Sequence, residues 1–428
     1  MTRFEAPSLA GRAGEGGGWG HFRARLATRS LVLAVGIAPA LAIAAPLGLA
    51  PLLLAAALLI LVGDGWPRLV LRRLRPIAAI LAALVLWGAI TPLWSIDPLR
   101  SAGMAARLAL TFAAGAVLLD KALRLDRGEC RRLARAGALG TAIGIALLLI
   151  EAATGQALLG VGRALVGARE PLPTMMNRAA TFLALIMWPA AYGLHARGRS
   201  GLGLALLLAA LATLSLLVNT TAVLAAAIAT VVGGLALVLP RLTRWAVVSL
   251  AAAGILLAPY AVRTLAGMES LHVQIKPSAV HRLMIWRFTA DRIAERPLLG
   301  WGLETARDLP GGRDEVSFQT SAGVLTREAL PLHAHNAALQ IRVELGVVGA
   351  ALFAALIVAI GLALRRTSDR IGHAARLALL ASALAIAMAS YGVWQFWWLA
   401  ALALVVALVA GLPDPGEMST SEENRSPS

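Results

Sequence analysis

The chain has a single cysteine, Cys130, among its 428 residues. One thiol excludes an intramolecular disulfide and speaks against a cysteine-based metal cluster. Charge is also scarce: 14% of residues are Asp, Glu, Lys or Arg, against roughly 25% in soluble domains. Aromatic residues make up only 5%, so the apolar mass rests on Ala and Leu, both good helix formers. Acidic residues are few beside basic ones, 23 against 39, leaving a net charge of +16. That excess does not indicate nucleic acid, because the basic residues punctuate hydrophobic segments instead of forming a soluble basic domain.

What is abundant is apolar sequence, 59% of the chain. It comes in continuous runs of about 17–25 residues, the length of membrane helices, whereas barrel strands alternate in polarity. The expected class is an all-α polytopic membrane protein. Twelve spans are expected near 30–46, 48–64, 76–93, 101–119, 133–153, 177–195, 201–218, 221–239, 244–262, 337–364, 375–391 and 394–411. Residues 1–29 read as a disordered basic tail, 30–262 as spans one to nine, 263–336 as a long polar loop, 337–412 as the last three spans, and 413–428 as a disordered tail. The run from Leu31 to Ala45 resembles a signal-peptide core, but a second apolar run follows at once, so it is read as a membrane helix.

Charge orients the spans. Arg68, Arg72, Arg73 and Arg75 follow span two, Lys121 to Arg135 follow span four, and Arg197 and Arg199 follow span six. Arg241 and Arg244 follow span eight, and Arg365, Arg366, Arg370 and Arg376 follow span ten. The odd-numbered connections are nearly free of Lys and Arg, so both termini are expected in the cytoplasm. Two external connections break this pattern. One, at about 154–176, carries Arg163 and Arg169 and leads to Asn177-Arg178; the other is the 263–336 loop. Topology does not account for their arginines.

Within the long loop, Ser278 to Arg296 has helical periodicity, with Leu283, Trp286, Ala290, Ile293 and Ala294 on an apolar face. Arg287 can meet Asp291 at i, i+4. The plain reading is an amphipathic helix lying on the membrane surface. Pro297 ends the helix, Leu298 to Gly302 reads as a turn, and Gly311-Gly312 suggests a flexible segment. The loop closes on Leu332-His333-Ala334-His335-Asn336. His333 and His335 could be two zinc ligands, yet no third ligand is evident and no metal is expected. They could equally be ordinary interfacial histidines, although a neutral imidazole in a watery external pocket suits a general base. Gly346 and Gly349 permit close helix approach. Arg342 and Glu344 are costly at membrane depth and should be paired or functional.

These residues resemble a known family. His335-Asn336, nine residues, then Gly346-x-x-Gly349 is similar to the His-Asn…Gly-x-x-Gly pattern of bacterial O-antigen ligases. Arg282-Leu-Met-Ile-Trp286 with Pro297-Leu-Leu-Gly300-Trp-Gly302 resembles the other half of that family's periplasmic loop signature, and Asn177-Arg178 resembles a shorter motif. The resemblance implies an enzyme of the bacterial inner membrane with a periplasmic site and no cofactor. It would transfer polysaccharide from undecaprenyl pyrophosphate to a lipid A-core sugar hydroxyl in lipopolysaccharide biosynthesis, with inversion and without a metal. It implies His335 as base and Arg282 and Arg178 as cations for the leaving pyrophosphate, with Arg287, Arg163 and Arg169 in reserve. Asn336, Asn177, Trp286 and His333 would contact substrate. Polysaccharide polymerases of the Wzy type share the same donor, and a lipid-linked sugar transporter is an alternative of another class. A transporter would place its ionisable groups mid-span, where this chain has few beyond Arg107 and Glu151.

Overall fold

The computed structural model describes residues 16–67, 74–165, 176–217, 219–266, 277–320, 323–364 and 369–412. Helix α1 (Gly16–Ala44) is followed by α2 (Leu49–Asp64), α3 (Arg75–Ile90), α4 (Pro98–Ala122), α5 (Arg127–Ala153), the short α6 (Ala157–Leu165) and α7 (Asn177–His195). Then come α8 (Ser200–Leu216), α9 (Thr220–Val238), α10 (Pro240–Ala266) and the loop helix α11 (Pro277–Glu295). A hairpin of β1 (Glu315–Thr320) and β2 (Gly323–Glu328) precedes α12 (Ala337–Leu364), α13 (Arg370–Ala389) and α14 (Phe396–Ala410). Each of the twelve expected spans falls on a helix. Among the described residues, nine helices are long and apolar enough to cross a membrane, and α8 and α14 are shorter apolar helices. The remaining helix, α7, packs against α1, α5, α8, α9, α13 and α14. Nearly all of its residues are buried, so it faces protein instead of lipid and can carry Arg178 and His195 at its ends.

Local chemistry starts these helices where the sequence permits. Asp97 caps α4 through the Arg100 N–H at 3.0 Å, and Asn219 caps α9 through the Ala222 N–H at 3.1 Å. Asp126 and Glu129 form a capping box on α5, satisfying donors that a helix start otherwise leaves free. At one end of the bundle, Asp64, the last residue of α2, pairs with Lys121 at 3.1 Å and Arg124 at 3.2 Å. Connections expected on the other side meet at the opposite end. There the Arg296 side chain reaches the Trp94 carbonyl at 3.4 Å, and the Asn219 amide donates to the Asn177 carbonyl at 2.9 Å.

Three expectations change. Helix α1 begins at Gly16, so 16–29 continue the first span and only residues 1–15 of the expected tail lie outside the described residues. Helix α11 does not lie alone on a membrane surface: it packs against α10 and α12. Its Ile285, Ala290 and Ile293 join Leu339 and Val343 in a separate buried cluster, and each large apolar side chain so buried contributes about 1.5–3 kcal/mol. Asp291 pairs with Arg263 of α10 at 3.1 Å and not with Arg287, because the docking of α11 on α10 presents a nearer cation.

The long helix α12 is broken. Gly346 sits at φ 64° and ψ −159°, a region essentially reserved for glycine. The break frees the last carbonyls of 337–345, and other segments satisfy them. Trp301 N–H donates to the Val343 carbonyl at 2.8 Å, Gly302 N–H to Glu344 at 2.9 Å, and the Trp87 indole to Leu345 at 2.9 Å. Beyond the break, Val347 N–H finds the Pro297 carbonyl at 3.0 Å. The Pro297 to Gly302 turn therefore fills the gap in α12. Gly300, at φ 74°, lies so close to the Glu344 carbonyl that a Cβ would collide with it. A Gly346→Ala substitution meets both the backbone strain and the Leu298 carbonyl. It is expected to cost at least about 1–3 kcal/mol, read as a lower unfolding temperature of the purified protein.

Candidate active site

The His loop enters α12 through Asn336, whose side-chain oxygen accepts the Leu339 N–H at 3.1 Å. Asn336 is thus the helix cap, which fixes where the preceding residues point. His335 takes a left-handed backbone, φ 50°, uncommon outside glycine. Its own N–H donates to His333 Nδ1 at 3.1 Å, and the two rings lie 4.2 Å apart. From the loop helix, the Trp286 indole donates to the Ala334 carbonyl at 2.8 Å. α11 is thereby tied directly to the histidine loop.

His335 Nδ1 makes a short hydrogen bond with the Ser390 carbonyl, between α13 and α14. A carbonyl only accepts, so Nδ1 carries the proton and the neutral ring keeps Nε2 as its acceptor. Burial lowers the His335 pKa below the usual imidazole value. The Ser390 carbonyl opposes that effect, and Arg282 and His281 add to it. Next to Ser390, Tyr391 lies within the electrostatic reach of both Arg178 and Arg282. Its hydroxyl meets Thr181 of α7 at 3.3 Å, and its ring packs edge-on against Trp397 at 4.6 Å. The Arg178 guanidinium lies 5.5 Å over that same Trp397 ring, within cation–π range.

His335, Arg282, Trp286, His333, Asn336 and the Asn177-Arg178 entry of α7 are therefore neighbours around the 390–395 connection, although they come from three distant parts of the chain. Arg287 is exposed. Arg163 lies on α6 with its side chain outside the described residues, and Arg169 lies outside them altogether. Arg292 and Arg296 serve structure: Arg292 pairs with Glu295 at 2.9 Å, and Arg296 covers Trp301 at 4.1 Å. His281 stacks on Phe318 at 5.7 Å, so the hairpin docks on the start of α11. Glu344, fully buried, accepts from the Glu304 N–H at 2.7 Å, the Trp394 indole at 2.6 Å and the Gln340 amide at 3.1 Å. Among the described residues, no group of three or more His, Cys, Asp or Glu is arranged to hold a metal ion. Sequence reasoning missed Ser390 and Tyr391. The available signal was a Ser-Tyr-Gly run in the short break between two apolar runs.

Fold and site together define a helical, multi-pass membrane protein with a layer of histidines, arginines and aromatic residues across one end of its bundle. Residues 204–354 match the family described as O-antigen ligase. The matched segment contains Arg282, His335 and Gly346 and leaves Arg178 outside. A protein of Rickettsia conorii named "Putative polysaccharide ligase RC0486" is 30% identical over 247 residues, covering 56% of this chain and 58% of its own. A protein of the same description from Rickettsia prowazekii is 29% identical, covering 56% and 59%. Another, from Rickettsia bellii, is 34% identical over 150 residues, covering 35% and 36%. The chain spans under two thirds of the length of these relatives.

Proposed function

We propose that the protein is a glycosyltransferase of the O-antigen ligase type. It would take polysaccharide from undecaprenyl pyrophosphate and place it on a sugar hydroxyl of the lipid A-core, at the periplasmic face of the bacterial inner membrane. The observation that carries this reading is the meeting of one neutral histidine, with Nε2 as its acceptor, and two arginines from separate elements. The acceptor hydroxyl is a weak nucleophile. As its oxygen attacks the anomeric carbon, His335 Nε2 takes its proton. The bond from that carbon to the pyrophosphate oxygen breaks, and undecaprenyl pyrophosphate leaves with the electron pair. Arg282 and Arg178 stabilise the charge that builds on it. A single displacement inverts the anomeric centre, and no step needs a nucleotide sugar or a metal. The basic connections at the other end of the bundle support placing the active end outside.

Deleting the protein from its bacterium tests the reading by the lipopolysaccharide pattern on a gel. Core-only product with accumulated lipid-linked polymer is expected. Core carrying one repeat unit would assign polymerisation instead, and an unchanged pattern would reject both.

A further inference from the structure

Tyr391 lies within the electrostatic reach of both Arg178 and Arg282, yet the transfer step described above does not use it. It follows Ser390, whose carbonyl holds His335 Nδ1. Its ring is set edge-on against Trp397, with centroids 4.6 Å apart. Trp397 is itself fixed: it is buried, and its indole donates to Gln395 Oε1 at 2.8 Å. The Arg178 guanidinium lies 5.5 Å over the same ring. One buried indole therefore seats both the phenol and a cation.

The Tyr391 hydroxyl is only loosely committed to the fold. Thr181 has one hydroxyl proton and gives it to the Asn177 carbonyl, one turn back in α7, at 2.8 Å. Toward Tyr391, 3.3 Å away, Thr181 can then only accept, so the Tyr391 O–H is the donor. That contact is longer than an ordinary O–H···O bond of about 2.5–3.0 Å. Burial raises the Tyr391 pKa, and Thr181, Ser390 and the two arginines offset only part of that effect. The phenol therefore keeps its proton. The charge around it is of one sign. Among the described residues, neither Arg178 nor Arg282 forms an ion pair, although both are half-buried. Two cations without carboxylates and one loosely held O–H share a single complement, an anionic oxygen.

We propose that Tyr391 is a third donor to the leaving pyrophosphate, its O–H turning from Thr181 to a phosphate oxygen. The phenol transfers no proton. It donates one hydrogen bond, which strengthens as the bond from the anomeric carbon breaks and charge builds on the phosphate. Hydrogen bonds to charged oxygens are shorter and roughly twice as strong as neutral ones, so a phosphate displaces Thr181 as the acceptor. Ser390-Tyr391 then serves both ends of the displacement, its backbone holding the base and its side chain the leaving group. The proposal rests on the glycan-transfer reading for what the pyrophosphate carries.

Tyr391→Phe keeps the ring against Trp397 and removes only the hydroxyl. The test compares purified full-length wild type, Tyr391→Phe and Thr181→Val, with a lipid-linked glycan donor and a core-oligosaccharide acceptor. Tyr391→Phe is expected to lower kcat about ten- to a hundredfold, the range for a hydrogen bond to a charged group, with the acceptor KM little changed. Thr181→Val should stay close to the wild-type rate, because it removes only the resting partner of the phenol. Equal losses in the two variants would make the pair structural and overturn the proposal, as would a normal kcat in Tyr391→Phe. Calorimetry with geranyl pyrophosphate, a soluble prenyl pyrophosphate, reads the site without turnover. The wild type should bind it, and Tyr391→Phe should bind it about tenfold more weakly. Equal affinity in both, or no binding by the wild type, rejects Tyr391 as a phosphate donor. If Tyr391→Phe weakens that binding but the wild type transfers no glycan, the glycan-transfer reading fails while the phosphate donor stands.

Discussion

Replacing His335 by alanine is expected to lower glycan transfer at least about a hundredfold, the lower range for losing a general base, in protein that still folds and inserts. The side chain is only partly buried, and the cap at Asn336 and the Trp286 bond to Ala334 do not depend on it, so the loop keeps its anchors. The pH profile gives an independent check. The His335 pKa is lowered by burial, so the ring stays neutral and competent below the usual imidazole value of about 6.5. The acid limb of kcat/KM should therefore fall below that value, and in His335→Ala it should vanish along with most of the rate. Near-normal transfer by His335→Ala would sink the base assignment.

Arg282→Ala should match that loss, on the order of a hundredfold or more, because a fixed cation facing a departing pyrophosphate contributes mainly in the transition state. Arg282 is half-buried and acts electrostatically on both His335 and Tyr391. Arg282→Lys should recover only part of the rate, since an ammonium keeps the charge but loses the planar fork that grips phosphate oxygens in pairs. The loss should fall on kcat more than on the KM for acceptor. Transfer by the wild type should survive a chelator. A chelator-sensitive enzyme with an active Arg282→Ala variant would move the role of leaving-group partner from arginine to a metal.

Much of this arrangement was legible in the chain. The spans could be read because their apolar runs are continuous, and the alternation of their connections because arginines collect after spans two, four, six, eight and ten. The motif residues could be placed near one another because the expected topology puts both loops on one side. What lay beyond sequence reasoning was mostly backbone. No residue type announces that the Ser390 carbonyl will receive His335, and the link from Glu344 to Glu304 joins positions forty residues apart. Gly346 reads as a close-packing glycine inside a continuous span, whereas it is the break itself. The alternation in Val316 to Thr320 and Val324 to Arg327 is a strand signal that the surrounding charged loop obscured.

The break in α12 has a mechanical consequence. A continuous helix of this length would be a lever, transmitting every tilt of its lipid-facing half to the histidine at its tip, and helices do tilt as bilayer thickness changes. At Gly346 the lever is cut. The 337–345 segment is buried throughout and hydrogen-bonded to Trp87, Trp301 and Gly302, so its bearings are protein on every side. The histidine end of the molecule is mounted on its own pedestal, and the part of α12 beyond Gly346 can move beneath it.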